Sequence, residues 1–160
     1  MKKIMFFILF LASLSAFAKT DTSIVFNKQV RDSVFHKAAS ISADSVRSQF
    51  LREAFEQHIG QEGATEFLDS AITLSMRKHL PNEELWALFD YCRQYEYLTD
   101  LPKLEQRLAI LKDASYRHKD YAFYYTMWVS ALNARCAIGD IEYAIMQAKE
   151  MANEAIRLNY

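Results

Sequence analysis

The chain has 160 residues and a formal net charge of −1; 51% of its residues are apolar, 14% are aromatic, and it holds only 3 glycines and 2 prolines. That length fits one packed domain. The near-neutral balance excludes the basic face that nucleic acid requires, and so few turn-forming residues leave little room for a many-stranded β sandwich, so an all-helical core is expected.

The chain opens MKKIMFFILFLASLSAFAKT, with Lys2 and Lys3 ahead of an apolar run from Ile4 and a small-x-small end at Ala16, Phe17 and Ala18. This is the layout of a secretory signal peptide, so residues 1–18 are expected to be removed and the product to be periplasmic or secreted. The run reaches Ser13 and Ser15 before the ~20 apolar residues of a membrane span, and no later stretch is apolar enough to cross a bilayer. Loss of Lys2 and Lys3 takes the formal charge from −1 to −3.

Residues 19–43 form an N-terminal capping segment, with Phe26, Val30 and Val34 at helical spacing. A first helical pair is expected over residues 44–79: Asp44 caps a helix to about residue 59, Gly60 and Gly63 bracket a turn, and a second helix covers residues 65–78. Leu80 and Pro81 interrupt the chain, Asn82 is read as the next N-cap, and Glu83 and Glu84 place negative charge where the helix dipole favours it. The second pair, residues 82–116, has helices over 83–98 and from Thr99 or Asp100 onward, with Pro102 in a first turn; residues 115–119 are read as a basic connector. The third pair, residues 119–160, has a helix over 121–138 stopped by Gly139 and a last helix capped by Asp140.

The pairs share one apolar pattern. Leu51, Ala54, Phe55 and His58 precede Phe67, Ala71 and Leu74; Leu88, Tyr91, Cys92 and Tyr95 precede Leu104, Leu108 and Leu111; Trp128, Ala131, Leu132 and Arg135 precede Ala144, Ala148 and Met151. The starts at 51, 88 and 128 lie 37 and 40 residues apart, within the range of helical-pair repeats. Each helix thus carries a single stripe, and stacked pairs bury both stripes of a pair, which a lone pair cannot do. In this alignment Cys92 and Cys136 take the eighth and twelfth positions of neighbouring first helices, about 6 Å apart in height. A disulfide would need the helices to slide, and packing as small apolar residues is the favoured role.

The third pair, WVSALNARCAIGDIEYAIMQAKEMANEAI, resembles a tetratricopeptide repeat: Trp128 stands at the aromatic position, Gly139 in the turn and Ala144 where the helices cross. Tyr95 matches the family's tyrosine in the second pair. The resemblance implies a right-handed stack of antiparallel helix pairs, an α-solenoid of about three pairs behind an N-terminal capping helix. It also implies a concave surface, lined by the first helices, that binds a protein or peptide. Carried onto this chain, the inward positions are Gln49, Arg52, Glu56 and Ile59, then Trp86, Phe89, Arg93 and Glu96, then Thr126, Val129, Asn133 and Cys136. Arg52, Glu56, Trp86, Phe89, Arg93, Glu96 and Asn133 are the candidate binding residues. Val129 stands where members that grip a terminal carboxylate have lysine, so that clamp is not implied.

Leader, long divergent repeats and an Ala-rich last helix together resemble the extracytoplasmic sensor region of membrane-spanning bacterial regulators, including sensor histidine kinases. A non-catalytic binding part of a signalling receptor, whole or truncated, is the expectation. A secreted enzyme or small-ligand protein and a self-associating structural protein are the alternatives. The last would use the C-terminal helix, where Ile145, Met146, Ala152 and Ile156 flank the inner stripe.

No chemistry-bearing motif competes with this. Histidines 36, 58, 79 and 118 have no second ligand at metal-binding spacing, no phosphate loop occurs, and Ser115 and Ser130 lack a nucleophile context, so no metal, cofactor or catalytic group is expected. His58 is read as a packing residue. Asp90, Glu96 and Glu105 are read as solvated charges. Tyr121, Phe123, Tyr124, Tyr125 and Trp128 are too many for one stripe, so most belong to the core and some to a groove.

Overall fold

Every described element is helical, as expected. The structure, a computed structural model, describes residues 25–160; the leader over residues 1–18 and the first part of the 19–43 segment lie outside the described residues. Seven helices and no strand occur among the described residues: α1 (Lys28–Ser40), α2 (Asp44–Glu56), α3 (Thr65–Arg77), α4 (Pro81–Tyr97), α5 (Leu101–His118), α6 (Ala122–Ala137) and α7 (Ile141–Leu158). No described helix is long and apolar enough to cross a membrane.

The helix starts differ from the expected caps in instructive ways. Asn27 caps α1, its Oδ1 accepting from the Val30 amide at 3.0 Å, and Asp100 caps α5 by accepting from Lys103 at 3.2 Å. Asp44 does not cap α2; it is already helical, and its carboxylate reaches Lys78, just past the end of α3, at 3.1 Å. Asn82 does not cap α4 either. Pro81 opens that helix, where its missing amide hydrogen costs nothing and its fixed φ suits the first turn. Asp140 precedes α7 with its side chain turned back to Arg135 at 3.0 Å instead of onto the backbone.

Two lengths also depart from expectation. The helix α2 ends at Glu56, before the turn in which Gly60, at φ +83°, donates its amide to Gln94 Oε1 at 2.7 Å. The segment 115–119 is no connector, because α5 continues through His118. Ala114 and Ser115 are fully buried, and Glu84 of α4 holds both Arg117 and His118, the latter at 3.0 Å, so the last turn is anchored from below.

Helix ends recur with strict spacing. His79, Thr99, Lys119, Gly139 and Asn159, each 20 residues after the last, all have positive φ and follow α3, α4, α5, α6 and α7. At each end the next amide reaches back: Leu80 to Ser75, Asp100 to Tyr95, Asp120 to Ser115, Asp140 to Arg135 and Tyr160 to Ala155, at 2.9 to 3.1 Å. This left-handed closure satisfies carbonyls that a helix end otherwise leaves open.

Each helix packs against its neighbours in sequence, and α2, α4 and α6 also pack in turn, whereas the backbones of α3, α5 and α7 stay apart from one another. One core patch joins α1 to α4 around Phe55, Phe67 and Leu68; a second joins α4 to α7 around Leu85, Leu104, Leu111 and Met127. Ile72 and Tyr95 pack against both, so the apolar interior runs the length of the molecule.

Candidate functional site

The series α2, α4, α6 brings most of the candidate residues onto one connected face. Arg52 of α2 donates through Nε to Asp90 at 2.8 Å, and its guanidinium lies 4.8 Å from the ring centroid of Trp86. Arg93 of α4 bridges back to Glu56 of α2 at 2.8 Å and to Asp90 at 3.2 Å. Trp86 and Phe89 meet edge to face, and both contact Phe123 of α6, with centroids 4.4 and 5.2 Å away. Glu96 accepts a hydrogen bond from Ser130 of α6. Six of the seven candidates are therefore joined across helices. Asn133, one turn beyond Ser130, is exposed and makes no such link.

The face has both relief and a wet surface. Gln49, Arg52, Glu53, Glu56, Glu83 and Trp86 line a hollow of about 370 Å³ between α2 and α4. Trp86 remains 41% exposed although it is among the largest apolar side chains of α4. Aromatics of this size usually find cover in a free monomer, and an exposed one beside arginine is the composition of an interaction hot spot.

Asp90 corrects the reading of that residue as a solvated charge, for its side chain has no exposure at all. It lies on the same helical face as Trp86 and Arg93, so Arg52 and Arg93 cover it. Burial pushes its carboxyl above the ordinary range, and Arg52, then Arg93, pull it back. Sequence spacing did hold a signal: Asp90 stands four residues after Trp86 and three before Arg93. Glu105 is also no free charge, since Arg135 grips both its oxygens at 2.7 and 2.8 Å. Phe123 and Ser130 complete the face from α6 and were not among the candidates.

The remaining residues fall into the interior. His58 is buried, with the Phe26 ring edge-on at 5.6 Å. Tyr124, Tyr125 and Trp128 are buried in the α4–α7 patch, while Phe123 is half-buried against Trp86 and Phe89. Cys92 is fully buried and burial pushes its thiol up to about 12, which makes it unreactive; Cys136 is exposed, and the two are not bonded. Among the described residues no group of three His, Cys, Asp or Glu side chains is placed to hold a metal ion. Compared with family models, with curated proteins and with solved structures, the chain finds no match.

Proposed function

We propose that the chain is a non-catalytic binding module of the tetratricopeptide type, a right-handed stack of antiparallel helix pairs whose α2, α4 and α6 form a concave face for a protein or peptide. The supporting observation is the cluster of Trp86, Phe89 and Phe123, which crosses from α4 to α6 and stays partly exposed beside Arg52. The alternation in which α2, α4 and α6 pack in turn while the backbones of α3, α5 and α7 stay apart is the packing expected of such a stack. The leader-like composition of residues 1–18 supports a place outside the cytoplasm, and the module is read there as the sensing part of a signalling receptor. Fusing residues 1–24 to a reporter that is active only after export tests this placement.

The binding role is tested by selecting extended random peptides on the purified chain and measuring their affinity for Trp86→Ala. A central aromatic anchor contributes about 2 kcal/mol or more, so the variant should bind at least about thirtyfold more weakly. A library that yields no binder, or binders indifferent to Trp86→Ala, rejects the reading. A self-associating structural role is the second reading, favoured by one observation: Ile145 and Ile156 of α7 are 51% and 77% exposed.

A further inference from the structure

A second hollow shares no residue with the first. It lies between α5 and α7, whose backbones do not touch, and α6 forms its floor; its volume is about 300 Å³. Lys112 of α5 crosses it to Glu154 Oε2 of α7 at 2.8 Å. The same ammonium stands 5.6, 5.3 and 5.4 Å from the ring centroids of Tyr116, Tyr124 and Trp128. Three rings and a carboxylate make a cation cage, and the chain's own lysine occupies it.

The carboxylate is only half used. Glu154 is 8% exposed, and its Oε1 is buried without a hydrogen-bond partner. The Tyr116 and Tyr124 hydroxyls approach the Glu154 carboxylate as weak donors, and burial together with that carboxylate makes both harder to ionise, yet Oε1 itself meets no donor at good hydrogen-bond geometry. A buried carboxylate oxygen with no donor is costly, so the position favours an incoming N–H group.

Charge points the same way. Among the lining residues Arg135 is held by Glu105 and Asp140 and Lys112 by Glu154, while Glu150 is bonded to the neutral Gln147; Arg157, which acts on Glu154 and Tyr116 from the rim, offsets part of that negative charge. Apolar floor is supplied by Leu108 and Leu132. Lys112 is 37% exposed in its side chain and can swing into solvent.

We infer that this cleft binds a small primary ammonium compound with an aromatic or aliphatic body, which donates to Glu154 and takes over the ring cage from Lys112. The volume, at the lower end for small-molecule sites, limits the ligand to a compact monoamine. A quaternary ammonium cannot donate to Oε1 and an anion meets the wrong charge, so both are disfavoured. The inference stands apart from the reading of the concave face, since the two hollows are lined by different residues.

The chain has two tryptophans, so an NMR titration follows two indole N–H signals, one from each hollow. Adding phenethylammonium should move the Trp128 signal saturably and leave that of Trp86 in place. Glu154→Gln should weaken the binding roughly tenfold, and Lys112→Met, which removes the competing ammonium, should strengthen it by a similar factor. Trimethylphenethylammonium and phenylacetate should bind more weakly than the primary amine. No saturable movement of Trp128, equal binding of phenylacetate, or unchanged affinity in Lys112→Met each overturns the site. Lys112→Met keeps the test open should Glu154→Gln fail to fold.

Discussion

Helices α3 and α7 carry the same kind of apolar stripe and end in the same left-handed turn, yet they are buried very differently. In α3, Phe67, Leu68, Ala71, Leu74 and Ser75 are all buried, whereas only Ala144 and Glu154 are buried in α7, which is five residues longer. The cause is the number of neighbours. α2 and α4 cover α3 from two sides, whereas among the described helices α7 packs closely against α6 alone and reaches α5 only through side chains such as Glu154 to Lys112. An amphipathic pattern therefore decides that a helix forms, while position decides how much of its surface contributes to stability.

The sharpest test of this contrast compares equivalent truncations. Phe67→Ala empties a fully buried site against Phe26 and Phe35, whose rings contact it at 5.5 and 5.2 Å, and should cost about 3 to 5 kcal/mol. Met151→Ala, in the half-covered stripe of α7, should cost well under half of that. Urea denaturation of both variants reads the difference, and equal losses would break the comparison.

The α6–α7 crossing has one tight point, and it should respond to overfilling more than to truncation. Ala144 is 3% exposed where α7 crosses α6, so Ala144→Leu should overpack the contact and cost about 1 to 3 kcal/mol. Ala148, half-buried four residues on, leaves more room, and Ala148→Leu should be milder. An unchanged melting midpoint for Ala144→Leu would show that α7 is held elsewhere.

Two buried carboxylates extend the contrast to charge. Asp90, in the centre, is raised above 3.8 because burial outweighs Arg52 and Arg93; Glu154, at the end, is lowered from 4.5 because Lys112, helped by the Tyr116 hydroxyl and Arg157, overcomes its burial. A raised carboxyl binds more protons folded than unfolded, so Asp90 takes stability away as pH climbs from 3.8 through its folded value. Glu154 has the opposite sign, and its contribution is lost as pH falls from 4.5 through its lower folded value. Subtracting the stability of Asp90→Asn from that of the parent should give a difference that falls with rising pH. The same subtraction for Glu154→Gln should give one that rises. Slopes of one sign for both would contradict the assigned environments.

These residues also show what could be read before the structure. The stripes were legible because Leu51, Leu88 and Trp128 recur with partners three and four residues on, and that spacing fixes a helical face whatever lies opposite. Left-handed turn positions were legible where glycine marks them, at Gly60, Gly63 and Gly139. His79, Thr99, Lys119 and Asn159 adopt the same left-handed conformation at φ of +53° to +58° without glycine, and apart from Asn159 no local residue type marks them. Asp90 was missed because its cover includes Arg52, 38 residues earlier in the chain, which local spacing does not reveal. Trp86 and Phe89 were placed by the repeat resemblance, and the contact with Phe123 came from packing.

Because the turns recur alike, the ends of α3 and α7 should not account for the difference between those helices, and Thr99 allows a direct check on turn strain. A β-branched residue at positive φ is strained by about 1 kcal/mol relative to glycine, and Thr99 donates its hydroxyl only to the adjacent Leu98 carbonyl. Thr99→Gly should therefore stabilise the chain, by up to about 1 kcal/mol after the added freedom of the unfolded glycine is subtracted. A lower midpoint for that variant would show that the threonine side chain contributes more than its backbone loses.

The smallest expected change in stability carries the most information about α7. Ile145 and Ile156 are exposed, so the double variant Ile145→Glu with Ile156→Glu removes little buried area and should alter the unfolding free energy by about 0.5 kcal/mol or less. Its effect on association should be larger. Ile141, Ile145, Met146 and Ile156 are all 48% or more exposed along this one helix, and an apolar surface of that kind draws copies together in water. The parent chain should sediment as a concentration-dependent mixture of monomer and larger species, and the double variant as monomer. A parent that stays monomeric at tens of micromolar, roughly the range in which weak apolar contacts form, would mean that the uncovered stripe is tolerated in water and would remove the self-associating reading. A double variant that unfolds would instead show that these side chains support the α6–α7 contact, and the contrast with α3 would shrink.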